Sequence, residues 1–389
     1  MRTATKLITS IFELESIDSS LWNFANTLVI AYCGSSWASA EPTLTALRAK
    51  LPQAVLVGTS TAGHFGAAPD IYDEPIMLQF IGFAFGEIRA VSAQMPAISS
   101  AAELASSLSQ RLAGPSLRGL LILTDGSQMD GAAFISSVAA SLGEQVAVAG
   151  GMAGDGDRFA STWVWDGAQR IEFGAVMIGF YGQARMRCAS GSGWTSFGVD
   201  RDITGANGAV LTELDGRSAL SLYREYLGER ADELPASALL FPLLVTSEKS
   251  AEPVVRTILG IDADAGSIRL AGTVSVGSKA RLMRANPNRL IEAAGAAATG
   301  ALAAFDAPCD EPKARAAIIV NCVGRRLILR QRAEEEIEIA IAHLGEETSI
   351  GGFYSYGEFG PSGLTACALH NQTFTIALFG EDDAVSSPS

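Results

Sequence analysis

The chain reads as an α/β protein of the mixed α+β kind. It is predicted to form two modules, each a mixed parallel and antiparallel sheet flanked by helices. Three observations predict this. Short apolar runs alternate with helical patterns in the first half. Other strand-like runs follow one another through short glycine turns, which is an antiparallel signal. And 389 residues exceed what one ordinary core holds, so two domains are the default.

In order along the chain, LVIAYC (28–33) reads as a buried strand, EPTLTALRAKL (41–51) as a helix and AVLVGTS (54–60) as a second strand. SAAELASSLSQRLAG (100–114) is a helix that opens on a capping box of Ser100 and Glu103. Its Leu104, Leu108 and Leu112 share one face, and Gly114-Pro115 ends it. Strand 119–126, helix 131–143 and strand 145–151 complete a rhythm that implies parallel pairing under covering helices. IMLQFIGFAF with IRAVSAQM, and TWVWDG with FGAVMIGFYG and ARMRCASGSGW, carry hairpin signals. A boundary falls in the glycine- and serine-rich stretch near 190–215. Beyond it, VVRTILGI, SIRLAGTVSVG and KARLMRA read as strands, 286–305 as a helix of small residues and 314–324 as a buried strand. The helix 332–345 is amphipathic: Ile337, Ile341 and Leu344 lie on one face, and its acids are read as a solvated face. SIGGFYSYGEF and the segment 366–380 read as closing strands, and 381–389 as a flexible tail.

Composition narrows the function. A formal net charge of −14 disfavours nucleic acid and anionic membrane surfaces, because both need Lys and Arg to displace counterions. Glu13 and Glu15 interrupt the N-terminal segment, so it lacks a signal-peptide core, and no apolar run has the roughly 20 residues a bilayer crossing needs. These features predict a soluble, cytoplasmic protein. The five cysteines form no C-x-x-C pair, and all but Cys309 lie in strand-like context, which predicts buried reduced thiols and no metal site.

Two glycine-rich corners follow strands and are the candidate binding loops. In GTSTAGHF (58–65), Ser60 and Thr61 offer hydroxyls and Gly63 permits close backbone approach; it is neither a P-loop nor a dinucleotide fingerprint. In AGGMAGDGDRF (149–159), which includes Gly151, Asp155 and Asp157 would repel a pyrophosphate and suit a cationic group. Arg256, a charge inside an apolar strand, suits a carboxylate, and Glu358 completes the candidate pocket. There is no G-x-S-x-G elbow, and Ser60, His64 and an acid make a triad on paper only, so catalysis is not expected. His64 and His370 are candidate axial ligands should a haem be bound; His343, late in a helix, suits the helix dipole.

The ordered set VGTSTAGHF, VAVAGGMAGDGDRF, VVRTILGID, NCVGRRLIL, GFYSYGEFGP and LHNQTFTI resembles the FIST family. The N-terminal FIST module corresponds to about 25–215 and the C-terminal FIST module to about 216–365. The HNQT segment resembles the trailing stretch of bacterial members. The resemblance implies a sensory, ligand-binding role in signal transduction, with small molecules such as amino acids as ligands. Many members are fused to a histidine kinase, a cyclic-dinucleotide enzyme or a chemotaxis module. No such module, and no F-box segment, is read here, so the expected output is in trans, to a partner such as a histidine kinase. The expected cofactor is none. The alternative implied by similar stand-alone members is a haem-binding nitric oxide sensor that regulates a partner histidine kinase.

Overall fold

The computed structural model describes residues 1–95, 98, 100–143, 145–234, 236–247, 253–306, 315–362 and 365–382. Cys309 and residues 383–389 of the expected tail lie outside them.

Helices and four sheets confirm the mixed α/β class. The first sheet orders Arg2–Ile8, Ile76–Gly82, Thr27–Cys33, Val55–Ser60, Val164–Trp165 and Arg170–Ile171. The second orders Thr365–His370, Glu358–Ser362, Ala147–Met152, Leu117–Thr124, Gly174–Tyr181 and Glu87–Gln94. The third orders Ala184–Gly191, Phe374–Glu381, Arg315–Cys322, Thr348–Ser355 and the two-residue His64–Phe65. Each contains one parallel pair: residues 28–33 with 55–60, 119–124 with 147–152, and 315–322 with 348–355. Helix connections make these pairings possible, since a tight turn cannot return a strand in the same direction.

The fourth sheet has nine strands, and its pairs are antiparallel. Val254–Arg256 and Ile258–Asp262 lie at opposite ends of its strand order, yet only Thr257 separates them in the chain. The sheet therefore curls until its two ends meet at that residue. Its core is Leu211, Leu220, Tyr223, Leu243, Ile268 and their neighbours.

The two halves of the chain share sheets. Strands 358–362 and 365–370 extend the second sheet beside Gly150 and Gly151, and His64–Phe65 closes the third sheet against Gly352 and Phe353. A single core cluster joins Leu28, Val57, Leu121, Val176, Ile318 and Phe379 from all three sheets.

Several expectations are corrected. The hairpin 76–82 with 87–94 does not form, because the first strand pairs with 2–8 and 27–33 and the second with 174–181. Strands 174–181 and 184–191 likewise enter different sheets. Strands 76–82 and 174–181 are buried along almost their whole length between two partners each, and that burial outweighs the local turn. The segment 366–380 is two strands rather than one. Gln372, at φ 62°, turns the chain out of the second sheet and into the third. Glu381 is the last residue of the second of these, and its carboxylate accepts the amides of Ala84, Phe85 and Gly86. The strand expected to run to 324 stops at Cys322, and a helix, Val323–Leu329, follows it directly. The helix expected at 41–51 starts a turn earlier, at Trp37, under a Ser36 cap. Trp37 packs edge-on against Trp163 with ring centroids 5.0 Å apart, which holds the extra turn. Helix Ala101–Leu112 begins as expected, with Ser100 accepting the amide of Glu103.

The acids of helix Ala333–Leu344 do not all face solvent. Glu336 is fully buried on the stripe it shares with Ala333, Ile337, Ala340 and Leu344. It is tolerated there because Arg325 and Asn321 donate to its carboxylate. Cys33, Cys188, Cys322 and Cys367 are free thiols in strands, and burial raises the pKa of each. No helix among the described residues is long and apolar enough to cross a membrane.

Candidate functional site

Strands 55–60, 147–152 and 315–322, one from each of the first three sheets, send the chain toward a common cavity from their carboxyl ends. That is where open α/β sheets bind ligands. The corner after Ser60 is stitched on all sides. The Thr61 amide donates to Cys33, the Ala62 amide to Tyr354, and the Tyr354 amide to the Gly63 carbonyl, at 3.0, 2.9 and 2.7 Å. The Gly154 amide donates to the Ser60 carbonyl at 3.0 Å, which ties the second glycine corner to the first. The two corners predicted to bind are therefore neighbours.

Together with the helix Val323–Leu329 they enclose a cavity of about 280 Å³. Thr61, Asp73, Asp155, Arg158 and Arg326 contribute to its wall, along with Glu74 and Asp157. Four carboxylates thus face two guanidiniums. Arg326 grips Asp73 with both terminal nitrogens, at 2.6 and 3.0 Å, and donates to the Ala62 carbonyl at 2.7 Å. This pair holds the Asp73 carboxyl below its ordinary value. Arg158 donates to Ser35 on the opposite side.

Asp155 is 2% exposed and organises the second corner. One carboxylate oxygen accepts the amides of Ala160 and Ser161, at 3.1 and 2.9 Å, and the other accepts the Tyr356 hydroxyl. Burial pushes its carboxyl up, but these donors outweigh that and leave it below its usual value. The Tyr356 oxygen also accepts the amides of Asp155 and Phe159, and its ring stacks on Phe159 at 4.3 Å between centroids.

The remaining predicted residues lie below or away from the cavity. Ser60 is fully buried, and its hydroxyl accepts the Trp163 amide at 3.1 Å. Gly63, at φ 109°, sits so close to Arg326 that a Cβ would lie 2.4 Å from a guanidinium nitrogen. Gly151 pairs with Glu358 in the second sheet. Glu358 is fully buried, accepts from the Ser355 hydroxyl and from the amide and hydroxyl of Thr373, and is pushed up to about 7 by burial. Arg256 lines a different cavity. The residue that brings a guanidinium to Thr61 and Asp155 is Arg326, from the NCVGRRLIL segment. The sequence carries no signal for it: a strand expected to run to 324 leaves Arg326 just past its end, whereas the strand-to-helix corner at Cys322 aims the helix start at the cavity.

His64 is fully buried. Its Nε2 faces the Pro75 carbonyl and so carries the hydrogen, which leaves Nδ1 to accept from the Thr61 hydroxyl at 3.0 Å. Burial lowers its pKa to about 4. Its Nδ1 neighbour is Thr61 rather than Ser60, so no serine–histidine pair forms. His370 contacts the Pro361 carbonyl through Nε2 at 3.1 Å, and burial lowers its pKa too. A haem axial ligand needs a ring nitrogen directed into open space. With the nitrogens of His64 committed and His370 held against Pro361, the two histidines do not fit that role.

Residues 27–217 match the FIST N domain and residues 219–361 the FIST C domain. The chain belongs to the FIST family. FIST domains are associated with sensing in signal transduction, and the sequence resemblance is thereby established over most of the chain. An uncharacterised protein of Mycobacterium bovis is 30% identical to this FIST chain over 245 residues, 61% of each chain. An uncharacterised protein of Mycobacterium tuberculosis is 29% identical over 242 residues, 60% of each. The alignments thus span about six tenths of these relatives.

Proposed function

We propose that this FIST chain is a sensory protein that binds a small amino-acid-like ligand in the cavity between Thr61, Asp155 and Arg326. It would report occupancy in trans to a signalling partner such as a histidine kinase. The observation that carries the reading is the cavity itself. It lies past the carboxyl ends of three strands from three sheets, and carboxylates and guanidiniums line one small volume. A zwitterion matches such a wall: its ammonium suits the Asp155–Asp157 side and its carboxylate the Arg158 and Arg326 side. Asp155 and Tyr356 come from different halves of the chain, so a ligand that shifts the second corner also shifts the C-terminal half.

The same geometry speaks against turnover. Thr61 does lie 3.0 Å from His64 Nδ1, but His64 is oriented by the Pro75 carbonyl rather than by a carboxylate, and the Thr61 hydroxyl is shared with the Cys33 carbonyl at 2.9 Å, so no acid completes a triad around it. Calorimetry against the proteinogenic amino acids tests the proposal. At least one is expected to bind, with affinity falling about tenfold or more in Arg326→Gln and in Asp157→Asn. A panel that is silent throughout overturns it.

A further inference from the structure

Three arginines among the described residues are more than nine-tenths buried: Arg185, Arg256 and Arg325. Arg185 lies 3.2 Å from Asp382 and Arg325 contacts Glu336. Arg256, 7% exposed, has no carboxylate partner among the described residues. Its hydrogen bonds both leave from Nη1, to the carbonyls of Leu369 and Val255 at 3.1 and 3.4 Å. Nε has no partner. Among the described residues Nη2 has no acceptor either, and Nε is covered by Gly272. Gly272 allows the guanidinium to lie flat against the backbone, because a Cβ there would be 2.8 Å from Nε.

Isolated buried charge is costly, and proteins normally pair it. Here the guanidinium lines a cavity of about 410 Å³ between the curled nine-stranded sheet and the helix Gly131–Ser141 with its neighbouring strand Thr365–His370. Among the described residues, Arg256 is the only charged one of that wall. Ser136, Thr273 and Ser278 add hydroxyls, while Ile135, Val254 and Leu369 make it apolar. Burial lowers the Arg256 pKa to about 10, with Asp130 opposing the change, so the side chain stays cationic at neutral pH.

We propose that this cavity is a second binding site, separate from the Thr61–Asp155–Arg326 cavity, and that it takes a small monocarboxylate with an apolar body. One cation selects one anionic group, and the apolar wall selects what is attached to it. The site lies between the curled sheet and the rest of the molecule, so its occupant would bridge the two.

Calorimetry at neutral pH with butyrate, benzoate, butyramide and inorganic phosphate tests this. Butyrate or benzoate is expected to bind at one site, and the neutral amide about tenfold or more weaker. Arg256→Gln is expected to cut carboxylate affinity by a similar factor, while Arg326→Gln leaves it unchanged. Ala132→Leu, which fills the cavity without touching the guanidinium, is expected to abolish binding in a protein that melts normally. The proposal is overturned if neither carboxylate binds at millimolar concentration, if phosphate binds in preference, or if binding survives both Arg256→Gln and Ala132→Leu. A failure confined to amino-acid binding bears on the other cavity alone.

Discussion

Arg325 and Glu336 form an ion pair with both side chains fully buried, the Arg325 Nε lying 2.9 Å from a Glu336 oxygen. The guanidinium also donates to the carbonyls of Ser192, Gln372 and Leu290, at 2.6, 3.1 and 2.8 Å. Asn321 donates to the second Glu336 oxygen at 2.9 Å. One side chain therefore ties the helix that carries Arg326 to helix 287–306, helix 333–344 and the turn at Gln372. Removing one partner strands a buried charge, so Glu336→Ala or Arg325→Ala alone is expected to cost about 3–5 kcal/mol. The double variant is expected to cost less than the sum. Urea unfolding of the three variants checks both statements.

Tyr356 holds the second corner through its hydroxyl, which serves Asp155 and two backbone amides. Tyr356→Phe keeps the stack on Phe159 and removes the hydroxyl. We expect a loss of about 1–3 kcal/mol, because buried donors and acceptors are left unmade. Hydrogen exchange at the amides of Asp155 and Phe159 should accelerate; unchanged protection there would remove Tyr356 as the anchor.

Glu358 binds its proton more tightly in the fold, near 7, than its ordinary 4.5. Between those values the folded state holds more protons than the unfolded chain, so stability falls as pH rises through the window. Glu358→Gln should flatten that part of the curve and retain the contacts to Ser355 and Thr373. Chemical denaturation across pH 4 to 8 measures the difference between the two proteins (roughly the span set by these two values).

His64 has the opposite sign. Its pKa falls from 6.5 to about 4 on folding, so the unfolded chain takes up the proton first. The stability it contributes is complete above 6.5 and is lost as pH falls toward 4. His64→Gln is expected to remove that acid-side slope, and an unaltered slope would show that other groups carry it.

Gly63→Ala puts a side chain on a residue at φ 109°, 2.4 Å from an Arg326 nitrogen. Both the backbone strain and the displaced guanidinium act against it. The melting temperature should fall, and a structure of the variant should show Arg326 moved from Asp73.

Much of the local structure was legible. Ser100 caps its helix as its spacing to Glu103 predicts, and the strands before the two glycine corners end within a residue of their predicted ends. The corners at Thr61 and Asp155 could be picked out because glycines and small polar residues after an apolar run have few other structural uses. Arg326 and Glu336 escaped notice. A charged residue beside an apolar run looks the same whether it faces water or a countercharge from another helix.

What the sequence determined by itself was many of the elements, the two parallel units of the first half and the two loops, all of which depend on neighbours within a few residues. Only the tertiary structure decided partner choice: strands 76–82 and 87–94 separate into two sheets, the two halves interleave, and Arg256 goes to one cavity while Arg326 goes to the other. Those outcomes follow from burying apolar faces and pairing charges between segments distant in the chain, and no local spacing records which distant segment will be there.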